Sequence, residues 1–202
     1  MHPFLVPLVL GFAINAASAF TTAFSRRWGE RRGRQVTFVL RNVLGIPVWV
    51  IGLALAVRTP SPALFPVTPA TEVLSWLLLL GGSVVQVFAL LALRSRAAMP
   101  STRDALEESG PYRHIRHPIY AGLLLQFAGI VLLRPTQASA LACVIGVVWV
   151  HTQARFEERD LLQRLPAYRE YMERVPRFVP LVRAGRGRPD GTDRQVEEER
   201  RQ

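Results

Sequence analysis

Apolar residues gather into five runs, near 4–24, 36–57, 72–93, 118–133 and 136–154, separated by short polar stretches. A helix crosses the ~30 Å hydrocarbon core with roughly 20 apolar residues, and the first three runs have that length. The fourth is shorter and ends at Arg134-Pro135, a turn-forming break. The fifth begins at once, so the last two read as a tight helical hairpin. The pattern predicts an all-α fold, a polytopic transmembrane bundle of about five spans. Tyr168, Tyr171, Met172 and Val175 recur at helical spacing and predict a C-terminal amphipathic helix lying on the cytoplasmic side of the bilayer. Pro176 and Pro180 end that helix and let the chain fold back. Residues 1–182 therefore read as one membrane domain. Residues 183–202, dominated by Gly, Pro, Arg and Glu, read as a disordered charged tail.

Charge sets the expected orientation. The net charge is +10, all 25 basic residues are arginine, and the mean hydropathy is still positive at +0.18. The arginines cluster after the first, third and fifth runs, while the other two connections carry only Arg58 and Arg134. That alternation is the positive-inside pattern, with the N-terminus outside and the C-terminus cytoplasmic, as in a bacterial inner membrane. The excess charge is accounted for by topology and by anionic headgroups of the bilayer, so no nucleic-acid partner is expected. Ala17-Ser18-Ala19 has the small residues of a signal-peptidase site, but no charged stretch precedes the run, which favours an uncleaved anchor. The lack of lysine excludes a Walker-type phosphate loop and Schiff-base chemistry. The single cysteine, Cys143, excludes an internal disulfide and a Cys-rich zinc site.

Three regions do not fit a plain anchor. Ser109–Gly122 crowds Tyr112, Arg113, His114, Arg116, His117 and Tyr120 onto a turn at the mouth of the fourth run. His117 precedes a proline and is biased away from helix, and Pro118 suits the first position of the next helix. An interfacial belt of Tyr and Arg would have the same composition. His114 and His117 lack further ligand types nearby, so no metal site is expected. The second region, Arg155–Asp160, places Glu157 and Glu158 at the end of the fifth run. Neighbours on a helix point about 100° apart, so one glutamate faces inward, while Asp160 and Arg164 are spaced to pair. The third is the C-terminal segment 168–180. Within the spans, Arg41, Asn42, Gln86 and, more weakly, Gln126 are polar residues of the kind that mark function. Gly81-Gly82 beside Gln86 fits close helix packing.

Gly110-Pro111-Tyr112-Arg113, then Arg116-His117-Pro118-Ile119-Tyr120 and Gly122, resembles the GPY…RHPxYxG signature of the isoprenylcysteine carboxyl methyltransferase family. Glu157-Glu158, Tyr168, Tyr171 and Val175–Pro180 follow in the family's order, over roughly residues 72–180. The wider superfamily includes phospholipid N-methyltransferases and small-thiol S-methyltransferases. The resemblance implies an integral-membrane methyltransferase that uses S-adenosyl-L-methionine, releases S-adenosyl-L-homocysteine and has no Rossmann domain. It implies that Tyr112, Arg113, His117, Pro118, Tyr120, Glu157 and Glu158, with Gln86 beside them, contact the cofactor. Arg116 and Arg177 would lie near the reacting atoms. The acceptor would be a lipophilic small molecule or lipidated group bearing a carboxylate, thiol or amine. Leu165-Pro166 stands where the family often has an aromatic-glycine pair, and the chain lacks the extra N-terminal spans of eukaryotic members, which weighs against a prenylcysteine substrate. A non-catalytic membrane scaffold retaining the fold is the alternative. A nicotinamide-dependent reductase would need a phosphate-cradling glycine motif that is missing.

Overall fold

The computed structural model describes residues 2–94 and 105–180, so the tail expected at 183–202 lies outside the described residues. The described chain is helical: α1 (Leu5–Ala17), α2 (Thr21–Trp28), α3 (Glu30–Phe38), α4 (Ile46–Arg58), α5 (Pro69–Leu93), α6 (Pro118–Leu133), α7 (Gln137–Arg164) and α8 (Tyr168–Arg174). A π-helical segment, Val39–Gly45, joins α3 to α4, so the second apolar run is one long helix with a wider turn inside it. Gly29, at φ +82°, closes the α2–α3 corner in a conformation that L side chains rarely adopt. Thr68 caps α5, with Pro69 at the first helical position.

The chain passes five times between two ends. At one end the arginine-poor connections meet: the Leu64 amide donates to Pro135 at 2.6 Å, and the Gln137 amide to Pro62 at 3.0 Å. At the other end the α2–α3 corner, the 110–117 turn and the end of α7 come together. Three helices are long and apolar enough to cross a membrane, and a fourth crossing appears if α1 and α2, bent by 60°, count as one. Among the described residues, length and composition alone therefore account for three or four of the about five expected spans. The fourth apolar run forms a 16-residue helix, which at 1.5 Å per residue rises about 24 Å, short of the ~30 Å core. The fifth run extends to Arg164, beyond its apolar part.

Small residues let the helices approach. A Cβ on Gly11 would fall 2.2 Å from the Trp49 backbone nitrogen, and one on Gly52 would fall 2.4 Å from that of Leu8, which locks α1 onto α4. A Cβ on Gly82 would fall 2.4 Å from the Gly122 carbonyl oxygen, fixing α5 on α6, whereas Gly81 faces open space. Phe12, Trp49 and Trp149 stack where α1, α4 and α7 meet, and the Trp149 indole donates to the Phe12 carbonyl at 3.1 Å. The C-terminal helix is only seven residues long and buries Tyr168 and Tyr171 against the protein rather than lying free.

Candidate functional site

The 110–117 turn is assembled locally before it is anchored. Gly110, at φ +54°, starts a 3-10 turn over Gly110–Arg113. His117 is non-helical (φ −125°, ψ 64°) and Pro118 opens α6, as the sequence predicts. The segment after α8 folds back across this turn. The Arg116 amide donates to the Pro176 carbonyl at 2.9 Å, and the His117 amide to that of Arg177 at 3.0 Å. The Tyr171 hydroxyl donates to the Tyr112 carbonyl at 2.5 Å. Burial pushes the Tyr112 phenol far above its ordinary range, with Glu157 adding to the rise. Burial does the same to Tyr168 and Tyr171. All three remain neutral near pH 7, and none serves there as a base.

Glu157 and Glu158 point to different places. Glu157 Oε1 accepts from the Tyr120 hydroxyl at 2.6 Å, Gln153 Nε2 at 3.0 Å and Arg41 Nη2 at 3.1 Å. Arg41 reaches it from the π-helical segment, where such irregularities often mark functional sites, and its Nε donates to Ser18 Oγ at 3.3 Å. Glu158 faces the turn instead. Its carboxylate accepts from Arg177 Nε at 3.0 Å and Nη2 at 2.5 Å, and lies 3.1 Å from His117 Nε2. With two guanidinium groups holding that carboxylate, the His117 nitrogen facing it is the protonated one. Arg116 Nη1 sits 3.2 Å away but off the hydrogen-bond direction, so that contact is an ion pair. The hydrogen bonds to Glu158 hold the Arg177 guanidinium charge above its ordinary range. Asp160 pairs with Arg164 at 3.3 Å, as spaced, and also accepts from the Thr22 amide at 2.9 Å in the first turn of α2.

These elements enclose a cavity of about 490 Å³ at the arginine-rich end, within the usual range for small-molecule sites. Of the predicted residues, Gln86, Tyr112, Arg116, His117, Tyr120 and Glu157 line it. Arg113 is exposed on the 3-10 turn. Pro118, Glu158 and Arg177 are outside the lining, the last two forming the bracket behind His117. Gln86 and Gln126 exchange amide hydrogen bonds at 3.2 and 3.3 Å between α5 and α6. The sequence reading missed Asn15, Thr21, Trp49, Trp149 and Asp160 in the lining. Asn15 carries a usable signal, a polar side chain inside an apolar run. The two tryptophans carry none, because aromatic residues in membrane helices are ordinary.

The donor set suits a cationic, polar cofactor. Tyr112 and Tyr120 present neutral aromatic rings, Glu157 a carboxylate, and His117 a ring nitrogen 3.9 Å from Glu157 Oε2. A sulfonium is attracted to such rings by about 0.5–2 kcal/mol, and a carboxylate holds ammonium or hydroxyl groups through charge-assisted hydrogen bonds.

Residues 70–169 match the phospholipid methyltransferase family. Over 87 residues the chain is 32% identical to the cobalt-zinc-cadmium resistance protein CzcN of Cupriavidus metallidurans, covering 42% of this chain and 39% of that protein. Over 80 residues it is 34% identical to methanethiol S-methyltransferase 2 of Bradyrhizobium diazoefficiens, covering 39% of this chain and 30% of the relative. Methanethiol S-methyltransferase 1 of the same organism is 30% identical over 74 residues, covering 36% and 25% respectively. The chain thus spans less than two-fifths of the length of these curated relatives. No solved structure matches it. The matched segment runs from the start of α5 to Arg169, so it contains the 110–122 motif, Gln86 and both glutamates of α7. On that match and those motifs, the segment 70–169 belongs to the phospholipid methyltransferase family.

Proposed function

We propose that the protein is an integral-membrane methyltransferase that takes its methyl group from S-adenosyl-L-methionine and passes it to a membrane-accessible acceptor. The observation that carries this reading is the convergence of Tyr112, His117, Tyr120 and Glu157 on one cavity, all from the family-matched segment. When bound, the cofactor supplies an activated methyl group on a sulfonium. The chain's own work is to hold and align it. Glu157, Tyr120 and Tyr112 bind the cationic donor, and Gln86 borders it. Arg116 and His117 shape the wall near the reacting atoms. Glu158 and Arg177, with Pro118 fixing the start of α6, hold the turn in position, and Arg113 reaches the headgroup region. Alignment and exclusion of water supply most of the rate. An acceptor carrying a proton would release it to Glu157 or His117, since Tyr112 stays protonated.

The cavity opens at the cytoplasmic face of a bacterial inner membrane, with the N-terminus outside. The arginine-rich connections, which gather at that end, support this orientation. Residues 1–182 act as one membrane domain. Calorimetric titration of S-adenosyl-L-homocysteine into detergent-purified protein tests the reading. Saturable binding is expected, weakened at least tenfold by Glu157→Gln and by His117→Ala. A folded wild-type protein that binds none would favour a scaffold that keeps the fold without the activity.

A further inference from the structure

The family match begins at residue 70, but the cavity does not. Ile46, Trp49 and Val50 of α4 also line it. Spaced three and four apart, they share one helix face. Ile46 and Val50 are exposed at the bundle surface as well, so in a membrane this wall borders lipid. Trp49 is only 9% exposed, and its indole Nε1 is buried without a hydrogen-bond acceptor. Trp149 makes the contrast. Its ring lies 6.0 Å from that of Trp49 and lines the same cavity, yet its N–H donates to the Phe12 carbonyl at 3.1 Å. Two indoles thus face one space, and one of them has an unmet donor.

The other buried lining atoms without a hydrogen-bond partner are Nε and Nη1 of Arg116, which are N–H donors too. Among the described residues, no buried side-chain oxygen on the lining is in that state. An unmet buried donor carries a desolvation penalty that an acceptor atom relieves. The cavity therefore favours occupants that present acceptor oxygens, charged or neutral. Arg116 belongs to the turn carrying the motifs, whereas Trp49 stands on the wall outside the matched segment. Resting on the methyltransferase reading, we infer that Trp49 is a specificity-determining residue of the acceptor subsite. Its N–H donates to an oxygen of a lipophilic methyl acceptor, whose apolar body packs on Ile46, Val50 and Leu123. The oxygen is of the carbonyl type, as in a ketone, ester or carboxylate. An acceptor whose polar group only donates, such as an alkylammonium, leaves the Trp49 N–H unmet.

The test uses two probes of one shape, 2-nonanone and 2-methyl-1-nonene, in which a methylene replaces the carbonyl oxygen. They are titrated into full-length protein in neutral-lipid nanodiscs with no methyl donor present. Affinity is read from the Trp149 indole N–H signal in protein with ¹⁵N-labelled tryptophan, assigned with Trp149→Phe. The ketone is expected to bind about fivefold tighter than the alkene, the equivalent of one hydrogen bond. It should also move the Trp49 N–H signal, assigned with Trp49→Phe, downfield to saturation. In Trp49→Phe, which keeps an aromatic ring and removes the N–H, the preference for the ketone should vanish. Equal affinities in the wild type, or a preference that survives Trp49→Phe, would overturn the inference. So would a Trp49 signal that stays in place while Trp149 reports ketone binding, a result that needs no variant. S-adenosyl-L-homocysteine carries acceptor oxygens of its own. If it alone moved the Trp49 signal downfield, the bond would belong to the methyl donor and the inference would fall. Failure of the wild type to bind S-adenosyl-L-homocysteine in calorimetry would instead count against the donor reading.

Discussion

Glu157 and Glu158 are adjacent in sequence, and the structure assigns them separable consequences. The Glu158 side chain is 5% exposed and holds Arg177, Arg116 and His117 together. Glu158→Ala leaves two guanidinium groups and an imidazole without their anion. Removing one member of a fully buried pair costs about 3–5 kcal/mol. Arg177 is 28% exposed, so water recovers part of that, and about 2–4 kcal/mol is a fair expectation after the discount. At 1.4 kcal/mol per tenfold, this is roughly a 30- to 700-fold shift in the unfolding equilibrium. Glu158→Gln keeps the shape and one acceptor oxygen and should cost about 1–2 kcal/mol. SDS-induced unfolding followed by tryptophan fluorescence measures both. In the double-mutant cycle, Glu158→Gln and Arg177→Gln should couple by about 1–2 kcal/mol. Glu157→Gln, which weakens the Arg41 pair of a 20% exposed side chain, should cost about 1 kcal/mol or less and should act mainly on ligand binding. An Ala variant at 158 as stable as wild type would refute the bracket reasoning.

Two further outcomes follow from packing and capping. Gly82→Ala should destabilise the α5–α6 contact by about 1–3 kcal/mol through overpacking, since the new methyl would meet the Gly122 carbonyl at 2.4 Å; Gly81→Ala, facing open space, should change the unfolding midpoint by less than about 0.5 kcal/mol. Asp160→Ala removes the acceptor of the Thr22 amide and the partner of Arg164, at a cost of about 1–2 kcal/mol, and hydrogen exchange at residues 21–24 should accelerate while that of α5 stays as in wild type.

The sequence was most legible where local chemistry dictates structure. The five apolar runs locate the helical passes, Pro118 marks the start of α6, and the 100° offset between Glu157 and Glu158 separates their directions. What it hid depends on helices that meet only after folding. The bend between α1 and α2 breaks the first run, and no proline announces it. Arg41 reads in sequence as a polar residue within a span, with no partner indicated. The π-helical turn and the Glu157 carboxylate on α7 bring it to the cavity. Asp160 reads as half of a surface pair and also caps a helix 138 residues away. Trp49 reaches the lining through the close approach of Gly11 on α1, and Trp149 through its hydrogen bond from α7 to the Phe12 carbonyl, which no single segment encodes.

The central claim is that this cavity holds the methyl donor, and photolabelling tests it most directly. Ultraviolet irradiation of the protein with S-adenosyl-L-[methyl-³H]methionine, followed by peptide mapping, should place the label on Tyr112, Tyr120 or Trp149, and excess S-adenosyl-L-homocysteine should abolish it. Label confined to peptides outside the cavity, or unaffected by the competitor, would contradict the account.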